Sequence, residues 1–325
     1  MTRLVALLWL AASLQTAQQP GLPCVYWDQP TEDSAAMIRE AGIDRLCVPP
    51  ELAQSWRAAG IDAVEISAAD LASRRMLPPP GIAHRADLVS ATRSPWLVAS
   101  GWQFLRAPQL RFKYELTPGA GALAAAEAFA YGGDAILQVD ASALPELGAM
   151  LAFLRQVPAP AAQATLADFG VVDDGSEEMG EVLNLLSRRN LLFEIVKPRD
   201  RRFRVMVALG STRYPREKAA DPSAFALAVR GDLTDQARTL RVYGSEAVIC
   251  RVTRHASGVR VQLLNYGGRE IQGLRVRLRG SYSAADALVS GVGRVALDDV
   301  VTGDGATEMS IPRLTIYASV DLTVP

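Results

Sequence analysis

The hydrophobic pattern changes its period near residue 240, and this change restricts the fold of the chain more than any other feature. Between residues 24 and 157, short apolar runs alternate with helix-like segments, which predicts β-α units around a parallel sheet. From residue 240 onward, polar and apolar residues alternate, as in 259–263 and 274–279, and glycines separate the runs. The sequence therefore predicts a multidomain protein, α/β in its first part and all-β in its last.

The first part, residues 20–157, contains five strong β-α repeats. Strands are predicted at 24–27, 46–48, 63–66, 96–99 and 135–139. A complete eight-unit barrel usually takes about 250 residues. The shorter segment therefore predicts a compact or incomplete (β/α) barrel.

Two smaller units follow the predicted barrel. Segment 158–162 consists of proline and alanine, a composition typical of a hinge between domains. Residues 163–239 alternate strand-like and helix-like runs, which predicts a small α/β unit. The period-two pattern of residues 240–325 predicts a C-terminal antiparallel β-sandwich.

The N-terminus has the features of an export signal. Arg3 precedes the apolar run 4–12, which has the length of a signal-peptide core and is too short to span a bilayer. Cleavage is expected after Ser13 or Ala17, so residues 1–17 are predicted to form a signal peptide; a buried N-terminal helix is the alternative. We expect a secreted or periplasmic protein with no transmembrane anchor after processing.

The three cysteines allow two interpretations. In an oxidising compartment, Cys24 and Cys47 could form a disulfide if the strands that carry them are neighbours. Alternatively, these two residues and Cys250 are all small buried hydrophobic side chains, because each lies in an apolar run. The sequence leaves both open.

Charge and histidine content exclude several functions. The chain has 34 basic and 35 acidic residues, so no positive field is available to bind nucleic acid. His84 and His255 are the only histidines, which argues against a multi-histidine metal site and against a Ser-His-Asp triad. No glycine-rich phosphate loop is present. The sequence therefore predicts neither a metal nor a cofactor.

Carboxylates follow several predicted strands. Functional groups of β/α barrels lie at the carboxyl ends of the strands, where this chain has Asp28, Glu51 and Asp140. Glycoside hydrolysis uses two carboxylates roughly 5 to 10 Å apart, so these three are the candidate catalytic residues. In the alternative, Asp28 shapes a turn, Glu51 complements a helix dipole and Asp140 caps a helix.

Aromatic residues near the same strand ends suggest a carbohydrate ligand. Trp27 and Trp102 could offer flat faces to sugar rings, and Glu65 could bind hydroxyl groups. These three are the candidate substrate-binding residues. The alternative for both tryptophans is packing in the core.

Three strings carry a resemblance to a known family. They are Gly-Glu-Val-Leu-Asn-Leu-Leu at 180–186, Leu-Arg-Val-Tyr-Gly-Ser-Glu-Ala-Val-Ile at 240–249 and Leu-Leu-Asn-Tyr-Gly at 263–267. With the predicted domain order, they resemble the three-domain β-galactosidases, whose middle domain looks like a glutamine amidotransferase without its catalytic cysteine. The resemblance implies a barrel, an amidotransferase-like unit and a β-sandwich. It also implies a carbohydrate ligand and a homo-oligomer formed through the α/β unit.

Two functions follow from these observations. The first is a secreted glycoside hydrolase-like enzyme that acts on oligosaccharides through paired carboxylates. The second is a noncatalytic glycan-binding or assembly protein on the same scaffold. This alternative arises because no Asn-Glu pair ends a predicted strand of the first part, where that family carries its acid/base residue.

Overall fold

A computed structural model describes residues 22–83, 96–158 and 164–324. The predicted signal peptide, residues 1–17, lies outside the described residues, as do His84 and linker residues 159–162. Within the described ranges, no helix is long and apolar enough to cross a membrane.

The first part of the chain builds a parallel sheet with helices between its strands. Its elements are β1 (Cys24–Tyr26), α1 (Ser34–Glu40), β2 (Arg45–Val48), α2 (Pro50–Ala58), β3 (Asp62–Glu65), α3 (Ala68–Ser73), β4 (Arg75–Leu77), β5 (Gly81–Ala83), β6 (Trp96–Val98), α4 (Gly101–Arg106), β7 (Arg111–Glu115), α5 (Gly121–Tyr131), β8 (Asp134–Gln138) and α6 (Leu144–Leu154). Six strands pair in the order β3-β2-β1-β8-β7-β4, all parallel. The first and last strands of the unit are therefore neighbours, and β3 and β4 form the edges.

The structure corrects one predicted strand. Segment 96–99 was expected in the parallel sheet, but β6 pairs antiparallel with β5 in a separate hairpin. Its place is taken by β7, which joins β8 to β4. In β7, charged residues alternate with buried Phe112 and Tyr114, so this strand lacks the continuous apolar run by which the other strands were identified.

A disulfide joins the first two strands. Cys24 and Cys47 lie on adjacent strands with their Cα atoms 5.8 Å apart, and their sulfur atoms are bonded. Cys250 is a buried free thiol. The disulfide interpretation therefore holds for the first two cysteines, and the hydrophobic one holds for the third.

Helix α5 lies at the centre of the molecule, and all eleven of its residues are buried. It contacts β8 of the parallel sheet, α4, α6 and a strand of the C-terminal part. Six of its residues are alanine, and such small side chains allow close approach on every side. The helix ends at Gly132, whose φ of 65° is readily adopted by glycine.

A second α/β unit follows. Its segment contains β9 (Ala164–Thr165), β10 (Phe169–Val172), α7 (Glu177–Arg188), β11 (Phe193–Ile195), β12 (Met206–Ala208) and α8 (Pro222–Leu233). Strands β11, β10 and β12 form a parallel sheet in that order. The Arg106 guanidinium at the end of α4 donates two hydrogen bonds of 2.8 Å to Asp173, which fixes this unit to the first.

The C-terminal part is antiparallel. Its strands are β13 (Leu240–Tyr243), β14 (Val248–His255), β15 (Gly258–Asn265), β16 (Ile271–Arg279), β17 (Asp286–Val289), β18 (Gly293–Ala296), β19 (Asp298–Gly303), β20 (Ala306–Leu314) and β21 (Tyr317–Thr323). One sheet has the order β13-β16-β20-β19, and the other β18-β17-β21-β15-β14-β9. A single apolar cluster contains side chains of both sheets, so they share one core.

Strand β15 is buried along its whole length. Its residues Val259, Val261 and Leu263 face the core of the two antiparallel sheets, and its polar residues Arg260 and Gln262 meet the first part of the chain. Arg260 pairs with Asp321 at 2.6 Å and donates to the Pro158 carbonyl, whereas Gln262 donates to the carbonyl of Ala130 in α5. The polar face of β15 therefore does not face water but forms an interface with the first part of the chain.

A buried carboxylate links these parts. Glu127 of α5 accepts hydrogen bonds from the backbone N–H groups of Ser100 (2.6 Å) and Gly101 (3.0 Å), and from the hydroxyls of Tyr114 (2.6 Å) and Tyr266 (2.6 Å). Burial raises its pKa above the ordinary value for a glutamate, and the four donors oppose that shift. These donors come from the start of α4, from β7 and from the residue after β15, so one side chain holds three distant segments.

Replacement of Gly148 by alanine tests how closely α6 packs. An added Cβ would lie 1.7 Å from the carbonyl oxygen of Ala41, so we expect a loss of about 3 kcal/mol in the free energy of unfolding. Gly231 in α8 is the control, because a Cβ there has nothing within 4 Å. We expect Gly231→Ala to raise stability by about 0.5 kcal/mol. Equal effects in urea denaturation would contradict the packing described.

The Glu127→Ala variant tests the buried carboxylate. The substitution leaves four donors without their acceptor, and we expect a loss of about 4 kcal/mol. Glu146, at the exposed start of α6, is the control, and its replacement by alanine should change stability by less than about 0.5 kcal/mol. Chemical denaturation measures both; a small effect at Glu127 would show that its hydrogen bonds do not hold the units together.

Candidate functional site

A cleft of about 600 Å³ opens at the carboxyl ends of β1, β7 and β8. Residues 26–29, 115–117 and 138–141 line it. Each of these stretches contains the end of a strand and the first residues of the following loop, because the three strands are parallel and adjacent. This is the edge of a β-α sheet where functional groups collect.

The register of the strands places two of the predicted catalytic residues side by side. Tyr26 of β1 pairs with Gln138 of β8, and Gln138 pairs in turn with Glu115 of β7. Asp28 and Asp140 each follow two residues later, on neighbouring strand ends. Because adjacent parallel strands lie about 4.8 Å apart, the register brings these two residues to the same side of one cleft.

Neither aspartate has a structural partner within the described part of the chain. Both are exposed, and neither forms an ion pair or a side-chain hydrogen bond there. Asp140 begins the short 3-10 turn 141–143, but only its backbone carbonyl accepts a hydrogen bond, from the amide of Ala143 at 3.0 Å. The cap that was the alternative for Asp140 is not formed by its side chain.

Glu51, the third predicted catalytic residue, does not line the cleft. It is exposed in the first turn of α2, where its charge complements the helix dipole. Burial raises the pKa of Tyr26, and the negative charges of Asp28 and Glu51 raise it further. Glu51 therefore contributes to the negative potential near the cleft from outside its lining.

The three predicted substrate-binding residues are separated in the structure. Trp27 borders the cleft but is only 8% exposed, and its Nε1 atom is buried without a hydrogen-bond partner. Trp102 is partly buried and packs beside Gly180 of α7, against the core of the second α/β unit. Glu65 pairs with Arg57 at 3.1 Å. Only Trp27 reaches the cleft, and Trp102 occupies the packing position that was its alternative.

Further polar residues of the cleft are not among the candidates. Glu115 ends β7 and is exposed, and Gln29 and Gln138 add amide groups. Glu115 could have been found if the alternation of residues 111–115 had been interpreted as a strand. Carboxylates and amides together are suited to hydrogen bonding with sugar hydroxyls.

The cleft carries negative charge. Asp28, Glu115 and Asp140 line it, and its lining contains no lysine, arginine or histidine. In the described residues, no group of three or more acidic, histidine or cysteine side chains is arranged to hold a metal ion. The carboxylates and amides of the lining can therefore form hydrogen bonds with the hydroxyl groups of a ligand.

Comparison with solved structures gives the fold relationship. The α-L-fucosidase isoenzyme 2 from Paenibacillus thiaminolyticus is similar with a TM-score of 0.54 at 9% identity, over 90% of this chain and 79% of that one. The fold is glycoside hydrolase-like. No protein-family model and no curated protein sequence matches the chain.

Two β-galactosidases align with this glycoside hydrolase-like chain more weakly. The enzyme from Bacillus circulans sp. alkalophilus has a TM-score of 0.41 at 9% identity, with 93% of this chain and 60% of that one covered. The enzyme from Rahnella sp. R3 has a TM-score of 0.35 at 9% identity, with 91% and 60% covered. This chain therefore spans about three fifths of their length. Of the sequence-based resemblance, the fucosidase alignment confirms a glycoside hydrolase-like fold with mixed α/β and β content. The three-domain β-galactosidase architecture stays a prediction.

Asparagine variants of the two cleft aspartates test whether these residues serve the fold. Because neither side chain has a described partner, we expect Asp28→Asn and Asp140→Asn to change the free energy of unfolding by less than about 0.5 kcal/mol. Asp168 is the control: its carboxylate accepts from the backbone and hydroxyl of Thr239, and Asp168→Asn should cost about 1 to 2 kcal/mol. A large loss at either cleft residue, measured in urea, would indicate a structural role.

Proposed function

We propose that this protein is a secreted glycoside hydrolase-like enzyme that binds an oligosaccharide in the carboxyl-end cleft and cleaves it with Asp28 and Asp140. One observation carries the proposal: two unpartnered carboxylates follow neighbouring parallel strands in an open cleft of a glycoside hydrolase-like fold. Surface carboxylates that serve the fold usually form caps or ion pairs, and these two form neither with the described residues.

The proposed architecture is an incomplete barrel, an amidotransferase-like α/β unit and a β-sandwich. In a closed barrel each strand pairs with the next, and the last pairs with the first. The order β3-β2-β1-β8-β7-β4 follows that rule at every position except between β3 and β4. We infer a barrel that is open between these two strands. The shared core of the two antiparallel sheets supports the sandwich.

The chemistry follows from the two carboxylates. One carboxylic acid protonates the glycosidic oxygen as its bond to the anomeric carbon breaks. The other carboxylate either activates a water molecule that attacks this carbon, or attacks it directly to form a glycosyl-enzyme that water then hydrolyses. Gln29, Gln138 and Glu115 hold the sugar hydroxyls next to them. Trp27 closes the cleft floor with apolar surface.

A noncatalytic glycan-binding protein is the second candidate, and one observation favours it. A catalytic proton donor needs apolar surroundings, but Asp28, Glu115 and Asp140 are all exposed to water. Such carboxylates are better suited to accept hydrogen bonds from sugar hydroxyls than to give up a proton to a leaving group. Assembly through the second α/β unit remains a prediction of the family resemblance.

Export is part of the proposal. It rests on the apolar run 4–12 after Arg3, and the disulfide between Cys24 and Cys47 supports it, because structural disulfides persist in oxidising compartments.

Native mass spectrometry of the processed protein with a mixed oligosaccharide library tests these functions. The enzyme hypothesis predicts shortened sugars, and their rate of formation should fall about 100-fold or more in Asp28→Asn and in Asp140→Asn. Asp62→Asn is the matched control, because Asp62 begins β3 at the opposite end of the same sheet and pairs with Arg45. It should leave cleavage unchanged.

The other outcomes are equally informative. Intact sugar that stays bound to the native protein and to Asp62→Asn, but not to Asp28→Asn or Asp140→Asn, would establish the noncatalytic function. If no sugar of the library is retained or shortened, carbohydrate is not the ligand of this cleft. The molecular mass also reports cleavage of the signal peptide and the presence of the disulfide.

A further inference from the structure

A buried arginine lies where the three units meet. Arg251 of β14 is 7% exposed, and no carboxylate of the described residues lies within ion-pair distance of it. Its guanidinium donates to the carbonyl of Ala130 and to the hydroxyl of Thr165 (2.9 Å), and it lies 5.7 Å from the ring of Tyr131. All of these contacts are neutral, so nothing described here neutralises the charge of Arg251.

Another buried arginine on the neighbouring strand shows the contrast. Arg260 of β15 is 3% exposed and forms two hydrogen bonds, of 2.6 and 2.9 Å, with the carboxylate of Asp321. This is the usual arrangement, because a buried charge without a counter-charge is costly. Arg251 departs from it.

A cavity of about 20 Å³ lies against Arg251. Ser187 at the end of α7, Thr165 of β9 and Tyr131 of α5 also line it, so all three units contribute. Two buried polar atoms at this cavity lack a hydrogen-bond partner: Nε of Arg251 and Oγ of Ser187. Ser187 is 8% exposed. Both groups can donate a hydrogen bond.

We propose that this cavity binds one chloride ion, held by the Nε–H group of Arg251 and the hydroxyl of Ser187. The uncompensated positive charge of Arg251, with a second group on the same cavity that can donate, favours an anion over a neutral water molecule, because a buried charge without a counter-charge is costly. The volume admits one group about the size of water, which excludes sulfate, phosphate and carboxylates.

The ion would stabilise the junction of the units. Any ligand that binds the folded state and not the unfolded state raises stability with its concentration. The site lies apart from the carboxyl-end cleft, with which it shares no lining residue, so the inference does not depend on the proposed function.

Thermal unfolding at constant ionic strength tests the inference. Replacing gluconate with chloride should raise the melting temperature of the native protein by about 3 °C once the chloride concentration is ten times its dissociation constant. Ser187→Ala should lose most of this rise, and Arg251→Gln all of it. Ser290→Ala is the matched control, because Ser290 is equally buried but bonds to Thr315 outside the cavity. Its melting temperature should fall, and its response to chloride should remain.

Crystals grown in bromide locate the ion directly. We expect an anomalous peak within hydrogen-bonding distance of the Arg251 Nε atom in the native protein, and no peak in Ser187→Ala. An ordered water in the cavity of the bromide crystals would overturn the proposal. So would an equal response to chloride in Ser187→Ala and Ser290→Ala, since a general salt effect does not distinguish the two serines.

Discussion

The carboxylate of Glu127 accepts four hydrogen bonds, two from the start of α4, one from Tyr114 of β7 and one from Tyr266 after β15. Because an unpaired carboxylate is costly in the interior, these segments must lie around α5 in one arrangement. Helix α5 is buried on every side, between the parallel sheet and the antiparallel part. Tyr114 lies in β7, one of the three strands whose carboxyl ends form the cleft, so this contact connects the cleft to the buried centre of the molecule.

The cleft itself has few supporting contacts. Asp28 and Asp140 are exposed and form no ion pair or side-chain cap with the described residues, whereas Glu65 pairs with Arg57 and Asp173 pairs with Arg106. Asp28 and Asp140 therefore differ from Glu65, which lies at the carboxyl end of the same sheet but is paired, and this difference singles them out as candidates for ligand binding.

Local pattern accounts for the parts of the site that could be predicted. Asp28 and Asp140 follow apolar strands that are evident from composition, and the parallel arrangement brings such ends together. Glu115 could not be found in the same way, because β7 alternates charged and apolar residues. Segment 96–99 has the apolar run of a sheet strand but pairs in a hairpin, since pairing partners are chosen by contacts distant in sequence.

The sequence by itself determined the class of each part of the chain, because hydrophobic period depends only on nearby residues. It also determined that Asp28 and Asp140 come at strand ends. Only the tertiary structure decided which polar residues are buried: Gln262 of the alternating pattern faces α5, and Arg251 lies at a junction without a counter-charge. The physical reason is that a side chain is buried only when another segment packs against it. For Arg251 and Gln262 that segment is helix α5, which lies more than a hundred residues earlier in the chain.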